Sequence, residues 1–411
     1  MSASEPIEPV EPVAPSRRSR FGGFFWRDPN TQFLLLAALA GVLGALGAVV
    51  FRFLTARFTH LLLEATDIVS GAESLPPALR VFLPAAGGFV GGLLIVRLVK
   101  EHGTHGIAQM IEAISLARRP VRVRPAIGRV VSSIAVISTG GSEGREGPII
   151  QIGAALASSL SRRLKVSPEH VRILTACGMA AGVAGDYNTP IAATLFVLEV
   201  VVGSFAMKIF GPAVVSAVTS TVVVRLLLGD EPVYHVAPFH LESIVEFLPF
   251  AVIGLLSGPS SALFTRSLRA SKKLFDRTGM ARPLAMAIGG VIVGAIGIFL
   301  PEVWGNGFEG TNRILRGNPT LLLLVLLFAG KIVATSATIG YGGVGGVFTP
   351  TLLVGATVGG AVARVCQLSV PSLVAPICGY ALLGMGGVLA GLTRAPLLPG
   401  PGAWRRSARP A

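Results

Sequence analysis

Apolar runs recur along this chain, and most are cut short by glycine or proline. They cover residues 33–50, 81–98, 126–138, 149–160, 191–202, 213–228, 247–264, 284–300, 321–333, 352–362 and 373–392. A straight helix needs about 20 apolar residues to cross a bilayer, and several of these runs fall short. Backbone polar groups inside hydrocarbon must be satisfied by protein, so short broken runs predict helices that end at membrane depth. With 52% hydrophobic and 14% charged residues and a mean hydropathy of +0.70, the chain is too apolar for a water-soluble protein. The expected fold class is all-α, polytopic and membrane-embedded.

Two runs follow a Gly-x-x-x-Pro frame. Gly144-Arg145-Glu146-Gly147-Pro148 leads into Ile149-Ile150-Gln151-Ile152-Gly153-Ala154. Gly346-Val347-Phe348-Thr349-Pro350 leads into Thr351-Leu352-Leu353-Val354-Gly355-Ala356. Glycine lets a ligand approach the backbone, and proline is favoured in the first helical turn. Both frames therefore predict helix N-termini, whose unpaired N–H groups and partial positive charge suit an anion. Glu146 adds a carboxylate to one of them. It either competes for the anion site or caps the first turn.

A longer match supports an internal duplication. Gly178-Met179-Ala180-Ala181-Gly182-Val183-Ala184-Gly185 aligns without a gap to Gly384-Met385-Gly386-Gly387-Val388-Leu389-Ala390-Gly391, and the match runs on to Ile191 and Leu397. The two Gly-x-x-x-Pro frames repeat at nearly the same offset. Two half-repeats are expected, 31–228 and 229–397, with a substrate site between them near the midplane. Residues 1–30 lack an apolar signal region and read as a disordered cytoplasmic tail. After Pro190 the first half continues as an apolar helix, whereas Leu398-Pro399-Gly400-Pro401-Gly402 cannot be helical. Residues 398–411 are thus expected to be a Pro/Gly/Arg-rich tail foreign to the repeat, leaving the second half incomplete. A truncated or frameshifted reading frame and a genuine short variant both account for this.

The formal charge of +14 would suggest nucleic acid in a soluble protein. Here the basic residues flank apolar runs, as in Arg162, Arg163 and Lys165 or Lys272, Lys273 and Arg277, which is the pattern of cytoplasmic loops. No nucleic-acid partner is expected, and the lipid bilayer takes that place. Cys177, Cys366 and Cys378 lack metal spacing and read as core residues. Asp186 and Lys331 read as helix-end charges facing water, and Glu143 as part of the turn before the first frame. No paired carboxylate, His-x-x-x-His or Ser–His set stands in the runs, which speaks against an intramembrane enzyme and a metal site.

Four blocks in order resemble the CLC family of chloride channels and proton-coupled anion transporters. Gly103-Thr104-His105-Gly106-Ile107 resembles the family's first filter motif, with Ala108 where many members carry proline. Gly144 to Pro148 and Gly346 to Pro350 resemble the second and third motifs. Tyr187-Asn188-Thr189-Pro190 with Leu195-Phe196-Val197-Leu198-Glu199 resembles the segment that follows the second. The resemblance implies tilted and re-entrant helices in two inverted halves, in a homodimer with one pore per subunit, in a bacterial inner membrane. It implies that chloride or a similar anion is the bound substrate ion, with no other cofactor. The anion-binding residues would be His105, Gly106, Ile107, Arg145, Gly147, Val347, Phe348 and Thr349. The remaining filter positions would be Gly103, Thr104, Ala108, Gly144, Pro148, Gly346 and Pro350, and Glu146 would be the gate. Val200 stands where proton-coupled members carry a glutamate, which resembles channel-type members; Glu199 is a possible substitute on a proton pathway. The alternatives are an antiporter with a non-standard proton route and an inactive truncated fragment.

Overall fold

The computed structural model describes residues 29–99, 121–203, 206–236, 243–369 and 376–393. The whole first filter motif (Gly103, Thr104, His105, Gly106, Ile107, Ala108), the tail at 398–411 and nearly all of the tail at 1–30 lie outside the described residues. The described chain is helical, as the apolar runs require. Its elements are α1 (Pro29–Leu63), α2 (Ile68–Ser74), α3 (Pro77–Leu98), α4 (Val123–Ser138), α5 (Glu146–Arg163), α6 (Pro168–Tyr187) and α7 (Pro190–Phe196). They continue as α8 (Met207–Leu228), α9 (Phe247–Thr278), α10 (Arg282–Gly297), α11 (Phe308–Arg316), α12 (Leu321–Gly340), α13 (Phe348–Ser369) and α14 (Ile377–Thr393). A π-helical turn, Val197–Val202, extends α7 and carries Glu199 and Val200.

Among the described residues, six helical segments are long and apolar enough to cross a membrane. Their outer faces carry large exposed apolar side chains, including Phe53, Phe82, Leu226, Leu255 and Leu322. In water such a surface would be a liability, whereas hydrocarbon solvates it at no cost. α5 and α6 are different. Most of their side chains are buried, so they form the protein's interior and not its lipid-facing wall. α6 has no long apolar run because its middle is built from glycine and alanine. It is bounded by local chemistry. Ser167 caps its first turn by accepting the His170 N–H, and Asn188 ends it in a left-handed conformation.

Small residues set the helix crossings. Without a hydrophobic drive between helices in lipid, close backbone approach supplies much of the attraction. α5 crosses α6 where Gly153 faces the Gly178 carbonyl, and α13 crosses α14 where Gly355 faces the Gly384 carbonyl. A Cβ at either first glycine would come within 2.2 and 2.4 Å of those oxygens, so no larger residue fits. α3 and α10 interlock in the same way. Gly88 lies against the Met286 carbonyl and Gly290 against the Pro84 carbonyl.

Replacing Gly355 by valine is expected to force α13 and α14 apart, costing at least about 1–3 kcal/mol. The unfolding temperature in detergent should fall. Gly386→Ala is the control, because a Cβ there meets nothing within 4 Å and no fall is expected.

Candidate functional site

The two Gly-x-x-x-Pro frames, far apart in sequence, meet in the interior. Gly144 and Gly346 exchange both backbone hydrogen bonds. The Gly144 N–H donates to the Gly346 carbonyl at 2.7 Å, and the Gly346 N–H returns to the Gly144 carbonyl at 2.6 Å. This antiparallel pair holds the starts of α5 and α13 against each other. Gly147 in the first turn of α5 lies close to the backbone of Gly345 and Gly346. Each helix start leaves the N–H groups of its first turn without partners inside the helix. Val347, Phe348 and Thr349 supply them on one side; Arg145, Glu146 and Gly147 supply them on the other.

Glu146 is buried, and its side chain crosses from the start of α5 to that of α13. Oε1 accepts the Thr349 N–H at 2.6 Å, and Oε2 accepts from the Thr349 hydroxyl at 3.3 Å. The carboxylate thus sits on a helix N-terminus, where an anion is favoured. Gly144 and Gly346 make room for it, since a Cβ on either would collide with the carboxyl group. The Tyr187 hydroxyl reaches the same threonine, 2.7 Å from its Oγ1. The Tyr187 ring packs on Phe348 with centroids 5.2 Å apart, and Phe348 meets Phe196 edge-on at 5.3 Å. Phe348 is therefore packed between two aromatic rings, one residue before the threonine that Glu146 reaches.

Arg145 forms its ion pair with Asp186 and not with Glu146. Its Nε lies 2.6 Å from Asp186 Oδ1, and its guanidinium stacks over the Phe308 ring at 4.2 Å. The reading of Asp186 as a water-facing helix-end charge is corrected: it is wholly buried and paired. Lys331 is corrected likewise. Its ammonium is wholly buried and donates to the carbonyls of Val303 and Gly305, each at 2.9 Å. Both partners come from segments distant in sequence, so a single run could not have shown them. Glu143 is also buried. It accepts from the Ser133 hydroxyl at 2.8 Å and from the Gly345 N–H at 3.0 Å, so it joins the two halves and does not belong to a local turn.

Other residues fall where the sequence leads one to look, with refinements. Cys177 and Cys378 are core residues, whereas Cys366 is half-buried. Cys366 closes one end of an apolar groove of about 560 Å³ between α9, α12 and α13. Tyr380 is wholly buried and donates to Glu246 Oε2 at 3.3 Å, and Tyr341 packs against Phe275, so neither reaches Glu146. Glu199 is half-buried on the π-turn. The residues missed in the sequence are Tyr187 as a hydroxyl partner, Glu143 and Asp186. The Tyr187-Asn188-Thr189-Pro190 block was a signal for the first.

Six helices long and apolar enough to cross a membrane, packed around buried helix starts, define a multi-pass membrane protein. The voltage gated chloride channel family model matches residues 86–399. A ClcB-like protein of Ralstonia nicotianae is 37% identical over 370 residues, covering 89% of this chain and 86% of the relative. A protein named voltage-gated ClC-type chloride channel ClcB, from Salmonella dublin, is 33% identical with 89% and 88% coverage. The chain belongs to the CLC family of chloride channels and transporters. Solved structures agree in fold. A slow cyanobacterial Cl⁻/H⁺ antiporter superposes with a TM-score of 0.78 at 22% identity, covering 87% of this chain and 85% of the other. A CLC-type fluoride/proton antiporter gives 0.73 at 25% identity, with 91% and 89% coverage.

The Arg145–Asp186 pair yields a stability test. Arg145→Gln strands a buried carboxylate and is expected to cost about 3–5 kcal/mol. Asp186→Asn in the same chain should recover much of that loss, as a double-mutant cycle of thermal unfolding would show.

Proposed function

We propose that this chain conducts chloride or a similar small anion across a membrane along a path between the starts of α5 and α13, and that Glu146 gates it. One observation carries this reading. The Glu146 carboxylate is seated on the Thr349 amide, so the protein's own negative charge fills a position suited to an anion. A carboxylate at membrane depth costs roughly 3 kcal/mol or more when charged and unpaired. Amide donors offset that cost, and protonation removes it. A protonated Glu146 would release the amide and leave it to a passing halide, held strongly enough to replace water and weakly enough to leave. Val347, Phe348 and Gly147 would contribute the remaining donors and wall, with Gly144, Pro148, Gly346 and Pro350 shaping the two loops.

Residues 31–228 and 229–397 would be the two half-repeats. In support, the Gly153–Gly178 and Gly355–Gly384 contacts stand at matching positions, and Gly144 and Gly346 pair reciprocally. A homodimer in the inner membrane is the assembly in keeping with the family and the bacterial relatives. Coupled exchange is the second reading. It is favoured by two structural relatives described as proton antiporters. Val200 occupies the usual inner proton position, so coupling would need Glu199 on its π-turn, a distortion often found at functional sites.

Chloride efflux from proteoliposomes, with pH recorded on both sides, tests these readings. Wild-type flux is expected to rise as pH falls and Glu146 gains a proton, and Glu146→Gln should be fast and flat with pH. Unchanged pH dependence in Glu146→Gln removes the gate. Proton movement against chloride selects the exchanger, and its loss in Glu199→Gln would assign the proton route.

A further inference from the structure

Glu143 takes no part in the gate described above, yet it is wholly buried three residues before Glu146. Its two oxygens serve different helices. Oε1 accepts from Ser133 on α4, and Oε2 accepts the Gly345 N–H in the loop that leads into α13. That loop reads Gly342-Gly343-Val344-Gly345-Gly346, so it offers almost no side chain by which to be held. The segment before α5 holds it through Glu143, and Ser142 fastens the last turns of α12 from which the loop departs. The Ser142 N–H donates to Thr338 Oγ1 at 3.1 Å, and the Ser142 hydroxyl lies 2.9 Å from Thr335 Oγ1.

The loop is also shaped around the carboxylate. A Cβ at position 343 would lie 2.7 Å from Glu143 Oε2, and one at 345 would lie 2.5 Å from its carboxyl carbon. Glycine at both positions is what leaves Glu143 its place. One residue further on, Gly144 and Gly346 pair, and beyond them Glu146 takes the Thr349 amide. Two carboxylates therefore bracket the backbone pair that joins the helix starts.

The charged groups around them are committed elsewhere. Arg282 binds the Gly342 carbonyl through Nε and Nη2 at 3.2 and 3.0 Å. Arg145 is paired with Asp186, and Lys331 with the carbonyls of Val303 and Gly305. Arg129 donates to Gln151. Among the described residues neither Glu143 nor Glu146 forms an ion pair. Between them lies the buried Gly144–Gly346 backbone pair, and inside protein like charges act on each other more strongly than in water.

We propose that Glu143 is a positioning residue for the Glu146 gate: it anchors the glycine loop that presents the Val347, Phe348 and Thr349 amides, and its negative charge sets the pH at which Glu146 lets go. This rests on the reading of Glu146 as the gate. A charged Glu143 disfavours a charged Glu146, so removing that charge holds Glu146 ionised, and seated, down to a lower pH.

The test is chloride efflux from proteoliposomes against pH for wild type, Glu143→Gln, Ser133→Ala and Glu146→Gln, each normalised to its own maximum. Glu143→Gln is expected to move the midpoint to lower pH by roughly one unit, the usual scale for a neighbouring like charge. Ser133→Ala withdraws one donor from the Glu143 carboxylate without touching the loop. It should move the midpoint the same way by a smaller amount, and it serves if Glu143→Gln fails to fold. A midpoint unmoved in the variants that fold, with wild-type flux still dependent on Glu146, overturns the role of Glu143 alone. Flux whose pH dependence is the same in wild type and Glu146→Gln overturns the gate and this inference with it.

Discussion

Everything about the centre of this protein follows from two hydrogen bonds between glycines. Gly144 and Gly346 each donate to and accept from the other, and neither has a side chain to interfere. The exchange places two helix starts side by side in an interior that water does not reach freely. Their first-turn amides then converge on a small volume. There the Glu146 carboxylate of one start accepts the Thr349 N–H of the other. Had either glycine been alanine, the carboxyl group of Glu146 would have no room. The pair is therefore at once a splice between distant segments and the mould for the carboxylate.

Around that centre the polar groups are spent carefully. Asp186 takes the ion pair of Arg145, the residue next to Glu146. Lys331 gives its donors to backbone carbonyls at the turn where Trp304 is buried. Each of these buried charges is costly alone, and each has partners that offset part of the cost. The helices beyond are joined by backbone approach at glycine, which leaves little freedom for the centre to shift.

Much of this was legible in the residues. Proline and glycine marked where α5 and α13 begin, since both act within a few positions of themselves. The apolar runs found most of the long helices, because burial in lipid demands apolar side chains all round. α6 escaped as a run, since its alanines and glycines score weakly, although its match with the 384–391 segment exposed it. The fates of Asp186, Lys331 and Glu143 were not legible. Each depends on a partner more than one helix away, or on an arginine neighbour whose direction only the fold fixes. A charge near the end of an apolar run looks the same whether it faces water or a buried guanidinium.

The reciprocal glycine pair also has a consequence in time. The ribosome makes Gly144 long before Gly346, and the first glycine has no partner until the second is synthesised and inserted. Until then Ser142, Glu143 and Gly144 are polar groups in an apolar setting with most of their hydrogen bonds missing. The contact spans nearly half the chain, and loops of that length close late. The centre of the molecule is thus completed late in biosynthesis, and the first half waits, partly unsatisfied, for the second to arrive.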